Sequence, residues 1–259
     1  MKLKILTWNI SYGYGLGSEG TANYQPLPAS HFESSLATMS ELIHNLEIDI
    51  VLLQEVDFDS KRSHHVQQLD QLARMSGLLY RQECESWNAF YVPYPGIKPN
   101  RQFGQVKSGG GILSRFPIQP ILTELLPKPR ENSKLYNFFY LHRYLQIVEI
   151  QGVRICNLHL EAFSTDNREL HLVKLQNRLL DYEVDLAGGD FNGAIILSDE
   201  IQKGWKAEPT PEPTFPSNDP KEYLDGFIVK KGRFKNYRLT RLISGSASDH
   251  FPLLFEAGD

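Results

Sequence analysis

Gly188-Gly189-Asp190-Phe191-Asn192-Gly193 is the stretch that most narrows what this chain can become. Val184, Leu186 and Ala187, just before it, read as the end of a short buried strand. The two glycines then permit a tight turn and a close approach of backbone. Asp190 and Asn192 lie two apart, so in extended backbone they leave the same face while Phe191 turns into the core. A hard anionic oxygen and a neutral amide side by side at a strand end suit a divalent cation, a water nucleophile and an anionic substrate oxygen. The same six residues also fit an Asx-rich turn that closes a strand. The rest of the chain has to decide.

At 259 residues the chain can bury a sizeable core, and 41% hydrophobic with 22% charged residues is the profile of an ordinary globular protein. The net charge of −4 gives no global basic field to gather nucleic acid, so any phosphate affinity must be local or supplied by metal. Cys84 and Cys156 have no metal-ligand spacing, which argues against a thiolate–zinc site or a disulfide framework. No apolar leader precedes the first strand and no apolar run approaches a membrane span, so a cytoplasmic location is the expectation.

In chain order, Leu3 to Ile10 reads as a strand ending on polar Asn9, followed by a glycine-rich loop carrying Tyr12 and Tyr14. The glycine spacing there fits neither nucleotide-binding pattern, which leaves a flexible loop beside any site at Asn9. Ser30 and Glu33 form a capping box ahead of Phe32, Leu36, Met39, Ile43 and Leu46 at helical spacing. Ile48 to Val56 is a continuous apolar run, a strand buried on both faces, broken only by Gln54-Glu55. Glu55 is there either a solvated strand-end carboxylate or a metal ligand.

Residues 64–76 read as a second helix, and Trp87 to Phe103 as a long surface excursion able to shape substrate choice. Ser108 to Gly111 reads as a glycine turn entering a short strand that ends before Pro117. Tyr144–Ile150 and Val153–Leu160 form a hairpin around Gln151-Gly152, and Asn157, His159 and Glu161 share a face of its second arm. A third helix over 166–183 presents Leu170, Val173, Leu180 and their neighbours as its apolar stripe. A proline-rich loop from Glu208 to Pro220 leads to a strand beginning near Asp225, then to the basic and aromatic cluster Lys230 to Arg238, read as the wet face of a hairpin. Asp249-His250 enters the final strand. With no repeat, low-complexity tract or clean linker, the expectation is a single domain over 1–259.

Polar residues thus recur where strands run out: Asn9, Glu55, His159, Asp190 with Asn192, Asp225, and Asp249 with His250. Carboxylates can hold a hard cation that screens phosphate charge. An imidazole beside a carboxylate can move protons near neutral pH.

The ordered set Thr7-Trp8-Asn9, Leu53-Gln54-Glu55-Val56, Ile112 to Pro117, Asn157-Leu158-His159-Leu160, Gly189-Asp190-Phe191-Asn192, Leu224-Asp225-Gly226-Phe227 and Ser248 to Pro252 resembles the endonuclease/exonuclease/phosphatase superfamily. The deoxyribonuclease-like and sphingomyelinase-like branches carry the histidine found here at 159. The resemblance implies an α/β, four-layer sandwich with two mixed β-sheets packed face to face and helices outside, Mg²⁺ or Mn²⁺, and water attack on a phosphate ester. By the same resemblance, Glu55 is the principal metal ligand, with Asn9, Asp190 and Asp249 at the metal end of the site. Asp190 orients or deprotonates water, Asn192 and Asn9 hold phosphate oxygens, and Asp225 fixes His250 as base or phosphate-stabilising imidazolium. His159 protonates the leaving oxygen or stabilises the pentavalent phosphorus, and Arg143 is a further phosphate contact. Where the pattern has an aromatic after Asp225, this chain has Gly226, which opens space near the site.

The expected function is a divalent-metal phosphodiesterase or phosphatase acting on a small or lipid-like ester. A DNA or RNA nuclease using the Lys230–Arg238 cluster is the alternative. A non-catalytic binding module of the same fold would show eroded site residues, and none is eroded here.

Overall fold

The computed structural model describes residues 2–17, 24–96 and 98–258. Ile97, inside the expected Trp87–Phe103 excursion, lies outside them. The first sheet is built from β1 (Leu3–Asn9), β2 (Ile50–Asp57), β3 (Tyr80–Val92), β4 (Gly104–Ser114), β11 (Asn236–Arg241) and β12 (Leu253–Gly258), in the order β11-β12-β1-β2-β4-β3. The second holds β5 (Gln119–Leu125), β6 (Tyr144–Ile150), β7 (Val153–His159), β8 (Leu186–Asp190), β9 (Trp205–Pro209) and β10 (Asp225–Lys230), in the order β5-β6-β7-β8-β10-β9. Each sheet is mixed: β1 and β2 run parallel, as do β7 and β8, and their other neighbours are antiparallel. Helices α1 (Ala29–Asn45), α2 (Gln68–Ser76), α3 (Lys134–Phe139), α4 (Thr165–Asp181) and α5 (Asp199–Gly204) complete the chain.

Alternation along the strands explains the four layers. Leu3 and Ile5 of β1, Ile50 and Leu52 of β2, Ile155 of β7, Leu186 of β8, Phe227 of β10 and Phe255 of β12 meet in one core between the sheets. The intervening residues Leu6, Trp8, Val51 and Leu53 pack outward with Phe32, Leu36 and Met39 of α1 and Leu69 and Leu72 of α2. On the other side, Leu145, Cys156, Leu158 and Ala187 pack outward against Leu172, Leu175 and Leu179 of α4. Two period-2 sheets, each buried on both faces, require helices outside, and this is the four-layer α/β sandwich. Among the described residues no helix is long and apolar enough to cross a membrane.

Several local expectations are corrected. The first helix starts one residue before Ser30, after Pro28, and no side-chain cap forms, so the capping box is not used. The second helix begins at Gln68, because His64 and His65 adopt left-handed backbone. Residues 80–92 are an edge strand, so among the described residues only 93–96 and 98–103 leave the sheet. In α4 the expected stripe is the outer face: Val173 is 54% exposed, whereas Leu172, Leu175 and Leu179 point inward. Buried His171 and Gln176 complete that inner face by bonding the Pro127 and Ile196 carbonyls. The Lys230–Arg238 segment is no hairpin, since β10 and β11 belong to different sheets. The space opposite Gly226 is filled by Ile195 and by β9 backbone, a Cβ there meeting Ile195 Cδ1 at 2.6 Å.

Neither glycine run forms a turn. Gly110 sits inside β4 because Tyr144 crosses it: an added Cβ would lie 2.0 Å from the Tyr144 hydroxyl. Gly188 in β8 likewise makes room for the Phe227 ring, 2.4 Å from an added Cβ. The Gln151-Gly152 turn does form, with positive φ at both residues. Gly110→Ala should therefore destabilise the fold by about 1–3 kcal/mol or more through overpacking. Gly204→Ala, which meets nothing within 4 Å, should change stability by less than about 0.5 kcal/mol. Urea unfolding of the two variants checks the contrast, and equal stabilities would contradict the close-approach explanation.

Candidate active site

The inward-facing row of each central strand ends on a polar residue at the same end of the sandwich. In β1 the inward positions run Leu3, Ile5, Thr7, Asn9; in β7 they reach His159, in β8 Asp190, and in β10 they begin at Asp225. The parallel strands finish at this end and the antiparallel ones start there. Arg143, just before β6, and Asp249-His250, ahead of β12, therefore arrive at the same place.

Glu55 is the exception. It follows Val51 and Leu53, which point to the helix layer. The β2–β4 register shifts between Leu53 and Val56, and Glu55 takes φ +54°, a bulge that turns its carboxylate to within 4.0 Å of His159 Nε2. Ser11, Tyr12 and Asn192 also take left-handed backbone, a concentration of strained residues typical of functional sites. Asn192 is thus not extended, and it does not share a strand face with Asp190 as expected. Phe191 packs outward under α4.

Hydrogen bonds tie the cluster across the sheets. Asn9 Nδ2 donates to Asp190 Oδ2 at 3.0 Å, and the Asn192 amide donates to Asp190 Oδ1 at 2.8 Å. His250 Nδ1 lies 2.9 Å from Asp225 Oδ2, which also accepts from the Thr214 hydroxyl at 2.6 Å. His250 Nε2 then faces Asp190 Oδ2 at 3.9 Å, and His159 Nε2 faces it at 3.4 Å. Arg143 Nη1 approaches His159 Nε2 to 2.5 Å. The Ser11 hydroxyl donates to Asp249, and Asn192 Nδ2 donates to the Leu160 carbonyl at 3.0 Å.

All nine candidates from the sequence are therefore near one another, Asn192 with one amide hydrogen already engaged. No pattern in the chain marks Thr214, inside the proline-rich loop. Ser11 could have been found only by its place two residues after Asn9. The glycine-rich loop is packed into the core: Tyr12 and Tyr14 are buried, and Gln68 Nε2 donates to the Tyr12 carbonyl at 2.6 Å. Asn157, expected to join His159, instead bridges the sheets behind it, accepting from Gln54 Nε2 at 2.8 Å. Glu161 lies past the strand end and takes the Tyr140 hydroxyl at 2.5 Å.

Four carboxylates, Glu55, Asp190, Asp225 and Asp249, converge here with His250 and Arg143 as their cationic partners among the described residues. Burial pushes Glu55 up to about 7, against the Arg143 charge and helped by Asp249. Burial likewise raises Asp190, in spite of His250. For His250 burial acts downward, but Asp225, by charge and hydrogen bond, with Asp190 and Asp249, carries it up to about 10. His159 is driven well below its ordinary value by burial and then by Arg143. Ligand atoms of Asp190, Asp225 and His250 lie within 4.8 Å of one another. Asp225 Oδ1 is buried without a hydrogen-bond partner. This excess of buried, oxygen-rich negative charge fits a hard divalent cation. Because His250 is already held by Asp225 as an imidazolium, the Glu55 side of Asp190 is the better place for one.

A folded-state pKa raised above its unfolded value contributes stability present below the unfolded value and lost as pH rises through the folded one. Without metal, the protein should lose stability between pH 7 and 10 as His250 deprotonates. His250→Gln should start lower and fall less steeply, the two curves converging near pH 10. Thermal melts in chelator check this, and parallel curves would show that His250 is not held charged.

The family model described as "Endonuclease/Exonuclease/phosphatase family" matches residues 6–250. No curated protein matches the chain. Among solved structures, an endonuclease/exonuclease/phosphatase from Beutenbergia cavernae DSM 12333 is 17% identical, with TM-score 0.67 over 98% of this chain and 71% of that one. The Bacteroides thetaiotaomicron VPI-5482 mannosyl-6-phosphatase is 15% identical, with TM-score 0.61 over 99% and 100%. Truncated Caenorhabditis elegans TDP2 is 15% identical, with TM-score 0.57 over 100% and 98%. At these identities the structural likenesses speak for the fold, and the family model speaks for descent: the chain belongs to the endonuclease/exonuclease/phosphatase family of metal-dependent phosphoesterases.

Proposed function

We propose that this protein hydrolyses a small or lipid-like phosphate ester with Mg²⁺ or Mn²⁺, using Asp190 to activate water and His250 to stabilise the phosphoryl group. The observation that carries this reading is the opposite pull on two facing groups, 3.9 Å apart. Burial lifts the Asp190 carboxylate towards the range of a general base, while Asp225 keeps His250 charged.

When bound, the cation would lie among Glu55, Asn9, Asp190 and Asp249 and supply Lewis-acid screening of the phosphate charge. Asp190 Oδ2 takes the proton of the attacking water. The His250 imidazolium donates from Nε2 to a phosphoryl oxygen, with Asp225 and Thr214 fixing its ring. With His159 held neutral beside Arg143, the Arg143 guanidinium is the better charged donor to the phosphoryl group, and His159 is poorly suited to protonating the leaving oxygen. Arg143 and the second Asn192 amide hydrogen supply further donors to phosphate oxygens.

A nuclease is less well supported. Lys230 ends the strand that Asp225 begins, so the cluster after it starts roughly 17 Å from the site at ~3.3 Å per residue. Arg233 is moreover paired with Asp185 at 3.1 Å.

The test is hydrolysis of plasmid DNA, single-stranded RNA, sphingomyelin, a generic phosphodiester and a phosphomonoester, each with Mg²⁺ or Mn²⁺ and again with chelator. Chelator-sensitive turnover of the lipid or the small esters is expected. Salt-sensitive nicking of plasmid, with the small esters untouched, would make the nuclease reading the right one. Asp190→Asn and His250→Ala should each lower kcat by about 10²–10⁴-fold with folding intact. Glu55→Ala should weaken metal binding in a calorimetric titration, and an unchanged isotherm would remove Glu55 from the metal site.

A further inference from the structure

A cavity of about 500 Å³ adjoins the catalytic cluster, and Glu55, Arg143 and Tyr12 line it. Its remaining walls are mostly aromatic, among them Trp87, Tyr94, Phe103 and Phe139. None of Asp190, Asp225 and His250 lines it. A group seated there lies on the Glu55 and Arg143 side of the cluster, apart from the Asp190 carboxylate that would hold water.

The walls are fixed before anything binds. Arg62, almost wholly buried, forms an ion pair with buried Asp57 at 2.8 Å. Its guanidinium lies 3.6 Å over Tyr12, 4.6 Å over Phe103 and 5.2 Å over Trp87. Phe103 in turn packs edge-on against Tyr94 at 5.3 Å and Trp87 at 6.2 Å. The Trp87 indole donates to the Phe139 carbonyl at 2.9 Å, which closes the ring of walls onto α3. Rigid aromatic faces of this kind receive a flat ring by stacking or edge contact without ordering cost.

Charge separates this cavity from an aromatic cage for a cation. Quaternary ammonium groups are held by aromatic faces, but two guanidinium groups stand in this wall. Asp57 neutralises one of them. The carboxylate in the wall with the other, Glu55, is the one that would hold the metal ion, which leaves the Arg143 charge standing in the wall. The volume lies in the lower half of the range for small-molecule pockets, roughly 300–1,000 Å³, which suits a compact group.

We propose that this cavity holds the leaving group of the substrate and selects an uncharged, flat-ringed one over cationic or purely aliphatic groups. This rests on the phosphoesterase reading above and names its substrate class. Aryl-alkyl esters and nucleoside esters share that chemistry, and the test distinguishes them.

The experiment compares kcat/KM for methyl phosphodiesters of benzyl, cyclohexylmethyl, ethyl and 2-(trimethylammonio)ethyl alcohols, with thymidine 5′-methyl phosphate as the nucleoside arm. All leave as alkoxides; the uncharged alcohols are close in acidity, and the more acidic ammonium alcohol is compared after dividing by the rate of its ester's uncatalysed hydrolysis. The benzyl ester should exceed the ethyl ester by roughly tenfold, with benzyl alcohol released and the ammonium ester slowest. If thymidine 5′-methyl phosphate exceeds the benzyl ester, the ring is a nucleobase. Trp87→Ala should collapse the benzyl-to-ethyl ratio. Tyr94→Ala, farther from the Arg62 strut, provides the same reading if the Trp87 variant fails to fold.

Equal rates across the series, or preference for the ammonium ester, would overturn the cavity assignment and leave the phosphoesterase reading intact. Absence of hydrolysis of every ester with either metal would instead count against that underlying reading. In that event Trp87 fluorescence in metal-free protein decides the cavity separately. Saturable quenching by benzylphosphonate, not by ethylphosphonate, and lost in Trp87→Phe, supports it; no quenching overturns it.

Discussion

Polar contact between the two sheets at one end of the sandwich is the constraint on which the rest depends. Over most of their area the sheets meet through apolar side chains. At the end where β1, β2, β7 and β8 finish, that filling gives way to amides, carboxylates and imidazoles. Asn9 reaches Asp190, Gln54 reaches Asn157, and His250 reaches Asp225, each bond joining one sheet to the other. The Trp8 indole donates to the His250 carbonyl at 3.0 Å and anchors the loop that carries the histidine. These groups are almost without access to water, so each needs its partner. The relative position of the sheets and the geometry of the site are consequently one structural fact.

That coupling explains why so much could be read from sequence. A mostly apolar buried strand that stops on Asn, Glu, His or Asp makes a contrast visible in one dimension, and residues 3–9, 50–55, 153–159 and 186–190 all show it. The family resemblance rests on the same contrasts, and the matching region, 6–250, spans all of them.

What escaped the sequence has physical reasons. Leu170, Val173 and Leu180 are as apolar as Leu172, Leu175 and Leu179, and buried His171 and Gln176 hide the true inner face of α4 behind polar letters. Glycine composition does not separate a turn from a strand crossed closely by Tyr144 or Phe227. The aim of Glu55 depends on a one-residue bulge, which no alternation pattern announces. Edge strand β3 looks like loop because one of its faces is wet. Partners such as Thr214 are supplied by segments with no regular pattern at all.

The left-handed backbone at Ser11, Tyr12, Glu55 and Asn192 also bears on how this protein can change over time. Glycine at 55 or 192 would relieve a backbone conformation that L-residues adopt at a cost of order 1–3 kcal/mol, whereas at 12 it would also empty the place of a buried ring under Arg62. At 55 it would in addition remove a carboxylate whose charged form burial disfavours. Heat resistance and turnover therefore pull in opposite directions at the same positions. A population selected only for survival at high temperature would drift towards glycine around the cluster and keep the sandwich. One selected for catalysis would hold these side chains and recover its lost margin elsewhere, on the outer faces of the helices.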